Sequence, residues 1–254
     1  MSGSLHVSRP SPGVVLIRID NPPSNALGEE IRGRFIAEIE QIGPDLDVRA
    51  VVITGTGKAF CAGDDLKAAA SRADGERASL GQFGRLLDRI ETLRVPVIAA
   101  VNGHAVGGGL ELALACDIRI GSPNARFIAA GVNVGLMASV YRLPRLIGVA
   151  RAKSMLLTGL PIDAQTALSW GLLTGLYEPE ALDAEALTLA ARIASRAPLS
   201  VEAAKRQAGR AFDLTPKEAA IAASEELAVL TASRDHKAAL KAFVERIEPV
   251  FTRT

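Results

Sequence analysis

Two short runs without polar interruption restrict the fold most: residues 50–54, Ala-Val-Val-Ile-Thr, and 96–101, Pro-Val-Ile-Ala-Ala-Val. Both are far too short to cross a bilayer. A run that is apolar at successive rather than alternate positions has to be covered on both faces. That is the condition of a central parallel strand with helices on either side. Residues 50–54 are followed by Gly55-Thr56-Gly57, and 96–101 by Asn102-Gly103, which is turn chemistry. Residues 29–42 carry Ile31, Phe35, Ile39 and Ile42 at helical spacing and stop at Gly43-Pro44, and residues 80–93 form a second amphipathic stretch. Residues 14–19 and 117–120 read as further strands, the first stopped by Asp20-Asn21-Pro22-Pro23. Strands alternating with helices predict an α/β class.

Beyond these, residues 150–158 and 163–170 read as short helices, the latter capped by Asp163. From Asp183 the composition turns to Ala, Leu, Glu, Lys and Arg, with breaks at Pro198 and Pro216 and no strand signal up to Ile247. The expected organisation is an α/β core over 1–182 followed by a helical region over 183–254. With 254 residues, 48% of them apolar, a full core is readily buried and disorder is not expected.

A net charge of +1 argues against an extended nucleic-acid surface and leaves room for a small anionic ligand, which needs only a local basic patch. Cys61 and Cys116 read as two reduced thiols of a cytoplasmic protein rather than a disulfide. His6, His104 and His236 are scattered, so no metal site is expected. Residues 1–13 are polar and turn-rich and have neither the apolar stretch nor the Arg/Ser-rich pattern of a targeting segment.

Two glycine-bearing turns could carry chemistry. One is the loop 59–67 with Gly63; the other is Gly107-Gly108-Gly109, which opens an apolar helix. The first N–H groups of a helix have no internal partner, and its dipole favours negative charge there. Two such N–H groups converging from separate loops would form an oxyanion hole. A plain tight turn is an equal reading. A dinucleotide or phosphate loop is disfavoured, because neither the Gly-x-Gly-x-x-Gly nor the Gly-Lys-Ser/Thr pattern is present. Glu111 stands inside Leu110-Glu111-Leu112-Ala113-Leu114-Ala115. It either faces solvent along a narrow stripe or lines a dry pocket as an acid–base group. It follows Gly108 by three positions, so the two share a helix face.

At these residues the chain resembles the enoyl-CoA hydratase/isomerase (crotonase) superfamily. The resemblance runs through residues 21–27, 60–67, 98–113, 115–118, 142–148, 157–159, 164–167, 170–172 and 242–246. It implies a fold of repeated ββα turns with a helical C-terminal trimerisation region, assembled as trimers or dimers of trimers. It implies an acyl-CoA thioester substrate whose carbonyl oxygen is held by the N–H groups of Asp64 and Gly108, with Glu111 as the acid–base residue. The CoA moiety would lie along Ala26, Asp65, Leu66, Lys67 and Arg246, and coenzyme A would enter only as part of the substrate, with no metal, flavin or nicotinamide. Asp64 stands where many members carry a small residue, which a main-chain contact tolerates.

The sequence departs from the family pattern at one position. Hydratases of the family pair Glu111 with a second glutamate in a Phe-x-x-Pro-Glu-x-x-x-Gly segment. Here that segment runs from Phe127 to Gly135 with Gly131 in the glutamate's place, and the turn after it is about three residues short. Asp65, Asn133, Ser139 and Tyr141 are the nearby residues that could substitute. Three functions fit: a hydratase working with Glu111 alone, a decarboxylase of a malonyl-CoA derivative, or an acyl-CoA binding protein with little turnover. The decarboxylase reading draws on the segment Val132-Asn133-Val134-Gly135, which is similar to one found in family decarboxylases.

Overall fold

The two runs that restrict the fold are neighbouring parallel strands at the centre of a six-stranded sheet. The computed structural model describes residues 3–65 and 76–254. The larger sheet contains β1 (Ser4–Ser11), β2 (Val14–Asp20), β3 (Ala50–Gly55), β5 (Val97–Val101), β7 (Ile118–Gly121) and β10 (Gly175–Leu176), hydrogen-bonded in that order. β1 and β2 are antiparallel, and the remaining pairs are parallel. The smaller sheet orders β4 (Ala59–Cys61), β6 (His104–Val106), β8 (Arg126–Ile128) and β9 (Ile162–Asp163). Its first three strands are parallel, and β9 runs against β8.

Each turn of the chain therefore gives one strand to each sheet. β3 leads to β4 and then α2 (Glu76–Glu91), β5 leads to β6 and then α3 (Gly108–Ala115), and β7 leads to β8 and a 3-10 turn (Ala130–Val134). Two of these turns are the ββα unit that the resemblance implies, and the third ends in the 3-10 turn instead of an α-helix. α1 (Glu29–Ile42) joins β2 to β3 and follows the bounds its apolar spacing predicts.

β3 and β5 are buried at every position, as a continuous apolar run requires. Their side chains alternate between two cores. Val51, Ile53, Val97, Ala99 and Val101 face the larger core, with Phe35, Ile39, Phe60, Ile90 and Leu110. Ala50, Val52, Ile98 and Ala100 face the second core, covered by α7 (Leu182–Ala194) through Leu182, Ala186, Ala190 and Ala194. The four-residue spacing of these mostly small side chains gives α7 one flat stripe that can approach the sheet closely.

Between β8 and α7 lie α4 (Arg142–Ile147), α5 (Val149–Thr158) and α6 (Ala164–Ser169), the last capped by Asp163 accepting from the Thr166 N–H at 2.8 Å. The rest of the chain is α8 (Pro198–Gly209), α9 (Pro216–Ala232) and α10 (Arg234–Glu245). Both prolines occupy first-turn positions, where a missing N–H costs no hydrogen bond, so the expected breaks are helix starts. No helix among the described residues is long and apolar enough to cross a membrane. Cys61 and Cys116 are both buried free thiols.

Two features had no counterpart in the sequence reading. β1 lies in the segment read only as polar and turn-rich, and pairs with β2 from Ser4↔Asp20 to Ser11↔Val14. The smaller sheet is built from strands of two or three residues, too short to show a period of two.

The helical region is pinned to the core by charge. Arg94, just before β5, donates to Glu202 of α8 at 2.5 Å, and Arg253 donates to the same carboxylate at 3.1 and 2.9 Å. Burial pushes the Glu202 carboxyl up, but the two arginines outweigh it and hold the group below its ordinary 4.5. A depressed folded-state value means that this stabilisation is complete above pH 4.5 and is lost as pH falls through the lower folded value. Urea midpoints measured from pH 6 downward are expected to fall less steeply below about pH 4.5 in Glu202→Gln than in the parent protein.

Candidate active site

β4 and β6 are neighbours, with Ala59 opposite His104 and Cys61 opposite Ala105. Their C-terminal ends therefore deliver the 61–65 loop and the start of α3 to the same place. The contact there is backbone on backbone. A Cβ on Gly63 would stand 2.6 Å from the Gly108 nitrogen, and one on Gly108 would stand 3.1 Å from the Gly63 Cα. A Cβ on Gly109 would overlap the Cys61 carbonyl. Gly63 also has φ +82, a conformation that L side chains rarely adopt.

The peptide planes have defined directions. The Gly63 carbonyl accepts from the Leu27 N–H at 2.7 Å, so the Asp64 N–H of the same trans peptide points the opposite way. The Gly107 carbonyl accepts the first helical bond, from the Glu111 N–H at 3.0 Å. The Gly108 N–H therefore projects out of the N-terminus of α3, and it has no acceptor among the described residues. Two separate turns thus meet at Gly63 and Gly108, the second at the positive end of a helix dipole.

The Gly63 loop is fixed from beneath. Asn25 is fully buried; its Nδ2 donates to the Thr56 and Ala59 carbonyls at 2.9 and 2.7 Å, and its Oδ1 accepts from the Asn21 N–H at 2.9 Å. Cys61 Sγ accepts from the Gly63 N–H at 3.3 Å, and burial pushes its thiol up to about 12, so it is a neutral structural group. Phe83 of α2 lies against Gly108, with its ring 2.6 Å from where a Cβ would stand.

Asp64 has a partner that sequence reading missed. Arg32 of α1 is completely buried and donates to Asp64 Oδ1 at 2.5 Å and to the Leu27 carbonyl at 3.2 Å. Its guanidinium also bonds Gln82 at 3.3 Å and lies 6.0 Å from the Phe83 ring centre. The signal was present: Arg32 shares a helix face with Phe35, Ile36 and Ile39, all buried, and a charge on such a face needs a counter-charge. The pairing sets a buried guanidinium against the Asp64 carboxylate and so offsets its charge.

Glu111 sits one turn into α3, half-buried, and its Oε1 accepts from the Ser139 N–H at 2.7 Å. Of the other nearby polar residues, Asn133 is committed to the Gly159 carbonyl at 3.3 Å. Tyr141 is exposed and stacks with Arg145 at 4.7 Å. Asp65 donates its N–H to Asp64 Oδ1 at 2.9 Å. Only Ser139 of these four meets Glu111. A side chain at Gly131 would be tight: its Cβ would stand 3.0 Å from both the Ala138 nitrogen and the Leu136 carbonyl oxygen, and these would have to give by a few tenths of an ångström.

Of the positions expected to contact CoA, Ala26 is half-buried and its carbonyl accepts from Asn21 Nδ2 at 2.7 Å. Arg246 is exposed at the C-terminal end of α10. Leu66 and Lys67 lie outside the described residues. Recesses of about 670 and 550 Å³ occur elsewhere, beside Arg18 and His104 and beside Arg145 and Phe212; neither is lined by Gly108 or Glu111.

Comparison with known proteins agrees with this architecture. The family model described as enoyl-CoA hydratase/isomerase matches residues 9–254. The chain is 40% identical to (E)-benzylidenesuccinyl-CoA hydratase of Thauera aromatica over 94% of its length and 95% of that protein. It is 36% identical to short-chain-enoyl-CoA hydratase of Clostridium acetobutylicum, covering 92% of each. Among solved structures it is similar to enoyl-CoA hydratase from Bacillus anthracis, with TM-score 0.96, 32% identity and coverage of 98% of this chain and 99% of that one. It also resembles Pseudomonas aeruginosa DspI, with TM-score 0.93, 32% identity and coverage of 98% and 96%.

Asp64→Ala removes the Asp64 carboxylate from the buried Arg32 guanidinium and is expected to destabilise the fold by about 3 kcal/mol in urea denaturation. Arg32→Met combined with Asp64→Ala is expected to recover most of that loss. Full destabilisation in the double variant would show that the ion pair is not the cause.

Proposed function

The chain belongs to the enoyl-CoA hydratase/isomerase family, and on that footing we propose that it adds water to a 2-enoyl-CoA thioester using Glu111 as its acid–base group. Hydratase-type chemistry on an acyl-CoA is what the family match and the similarity to named hydratases support. The observation that carries the finer reading is the contact of Gly63 with Gly108, with Glu111 one helical turn beyond it.

The thioester oxygen lies between the N–H groups of Asp64 and Gly108. These donors strengthen as the carbonyl becomes an enolate, so they act on the transition state more than on the bound substrate. Glu111 takes a proton from water as the water oxygen attacks the β-carbon, and returns a proton to the α-carbon. Both added groups come from one water, and no redox or metal chemistry is required. The CoA moiety is assigned to Ala26, Asp65, Leu66, Lys67 and Arg246 by the family pattern. Packing against Gly131 supports the reading that no second carboxyl acts from that position. Commitment of Asn133 to Gly159 weakens the decarboxylase reading, because that side chain is already engaged.

Purified protein incubated with crotonyl-CoA and longer 2-enoyl-CoAs is expected to give products heavier by one water. Glu111→Gln is expected to lower that rate by roughly two to four powers of ten. Carbon dioxide release from methylmalonyl-CoA without hydration would replace this reading with decarboxylation. An ester bound but unchanged would leave binding alone.

Self-association as a trimer or dimer of trimers belongs to the same reading. It is supported by the exposed apolar side chains Phe243, Val244, Ile247 and Val250 near the C-terminus. Light scattering is expected to give three or six times the 26.6 kDa of one chain; a monomer would overturn it.

A further inference from the structure

The recess of about 670 Å³ beside Arg18 and His104 takes no part in the proposed reaction. It lies where strands of the larger sheet end and strands of the smaller sheet begin. Gly55 closes β3, Asn102 follows β5, and His104 and Arg126 start β6 and β8. In open parallel sheets, ligands bind outside the carboxyl ends of the strands. The glycine turns of the candidate active site are elsewhere. Gly63 and Gly108 follow the opposite ends of β4 and β6, about 10 Å along these three-residue strands.

The charge in this recess is mostly of one sign. Ala59 stands opposite His104, and His104 opposite Arg126, so the starts of three parallel strands bring Lys58, His104 and Arg126 to one place. The Lys58 ammonium has no hydrogen-bond or ion-pair partner among the described residues. Arg126 donates from Nη1 to the Pro123 and Ala125 carbonyls at 3.0 and 2.8 Å. The acids nearby are engaged. Asp183, the one carboxylate among the described lining residues, pairs with Arg18 at 2.6 Å. Asp163, opposite Arg126 on β9, caps α6. Cations gathered in a recess without counter-charge favour an anion there.

The main chain adds donors. Gly57 and Lys58, in the turn between β3 and β4, have N–H groups with no acceptor among the described residues. Gly57 has φ +66. A left-handed residue in a turn is one half of the conformation that brings successive N–H groups together around an anion.

We propose that this recess binds a phosphoryl group, held by the Lys58 ammonium, the Nη2 and Nε edge of Arg126 and the Gly57 and Lys58 N–H groups, at a site separate from that of the thioester. Lys58 supplies a point charge and Arg126 a planar fork of donors, a pairing that suits a compact phosphate or pyrophosphate. No aromatic side chain lines the recess among the described residues, so the phosphate is recognised and not a base. Bound there, the anion ties the starts of β4 and β8 across β6. The proposal is independent of the chemistry at Glu111.

The test is calorimetric titration of pyrophosphate at constant ionic strength into the parent protein, Lys58→Glu, Arg126→Ala and Arg246→Ala, with and without saturating free coenzyme A. The parent is expected to bind one pyrophosphate per chain. Arg126→Ala is expected to weaken binding roughly 10-fold, the scale of one charge-assisted hydrogen bond, and Lys58→Glu to weaken it further. Arg246→Ala and coenzyme A are expected to leave it unchanged. Pyrophosphate is expected to raise the Tm of the parent but not of Lys58→Glu, whose exposed position makes a folding defect a poor explanation of lost binding. No binding by the parent up to about 10 mM overturns the proposal. So does parent-like binding in Lys58→Glu. Displacement by coenzyme A, or loss in Arg246→Ala, would put the pyrophosphate on the thioester's own phosphate contacts and overturn it as well.

Discussion

The contact between the 61–64 loop and the start of α3 is the constraint on which the functional geometry depends. It is made by main chain at Gly63, Gly108 and Gly109, and a methyl group at any of the three would meet backbone or the Phe83 ring. Main-chain contact is what lets two turns from distant parts of the sequence approach so closely. Everything that fixes the two turns serves this approach. β4 and β6 are adjacent strands, Asn25 bonds the Thr56 and Ala59 carbonyls ahead of the loop, and Leu27 orients the Gly63 peptide. A sheet of two- and three-residue strands is a weak unit by itself. It is held because the larger sheet and its helices bury it.

Charge is arranged around that contact with the same economy of position. Asp64 places a carboxylate in the loop that meets α3, and a charge so placed is favourable only where it is offset. The buried guanidinium of Arg32 does this, and it also joins α1 to the loop and to α2. Glu111 is treated similarly: one of its oxygens is held by the Ser139 N–H, which limits the orientations of its carboxyl. The α8 helix is tied to the core by the arginine pair on Glu202 and by Lys205 on Asp117 at 2.8 Å.

Much of the scaffold was legible because its signals are local. The apolar spacing of α1, the uninterrupted runs of β3 and β5, and the cap at Asp163 are each contained within a few residues. The pairing of Gly108 with Glu111 was legible for the same reason, since helical periodicity alone puts them on one face. β1 was not legible. Its residues are mostly exposed and polar, and they form a strand because β2 offers an unpaired edge. Among Asp65, Asn133, Ser139 and Tyr141, nearness in sequence could not choose, because side-chain direction depends on the turn that carries each residue.

The sequence alone determined the α/β class, the helical character of the C-terminal region and the presence of glycine turns beside a glutamate in an apolar helix. Those properties follow from local periodicity and from residue types whose backbone or charge is unusual. The tertiary structure alone decided that Gly63 meets Gly108, that Arg32 answers Asp64, and that Ser139 rather than Asn133 or Tyr141 stands on Glu111. Each of these joins residues from 28 to 45 positions apart, and no pattern along the chain encodes them. They exist because two sheets wound together bring separate turns within hydrogen-bonding distance.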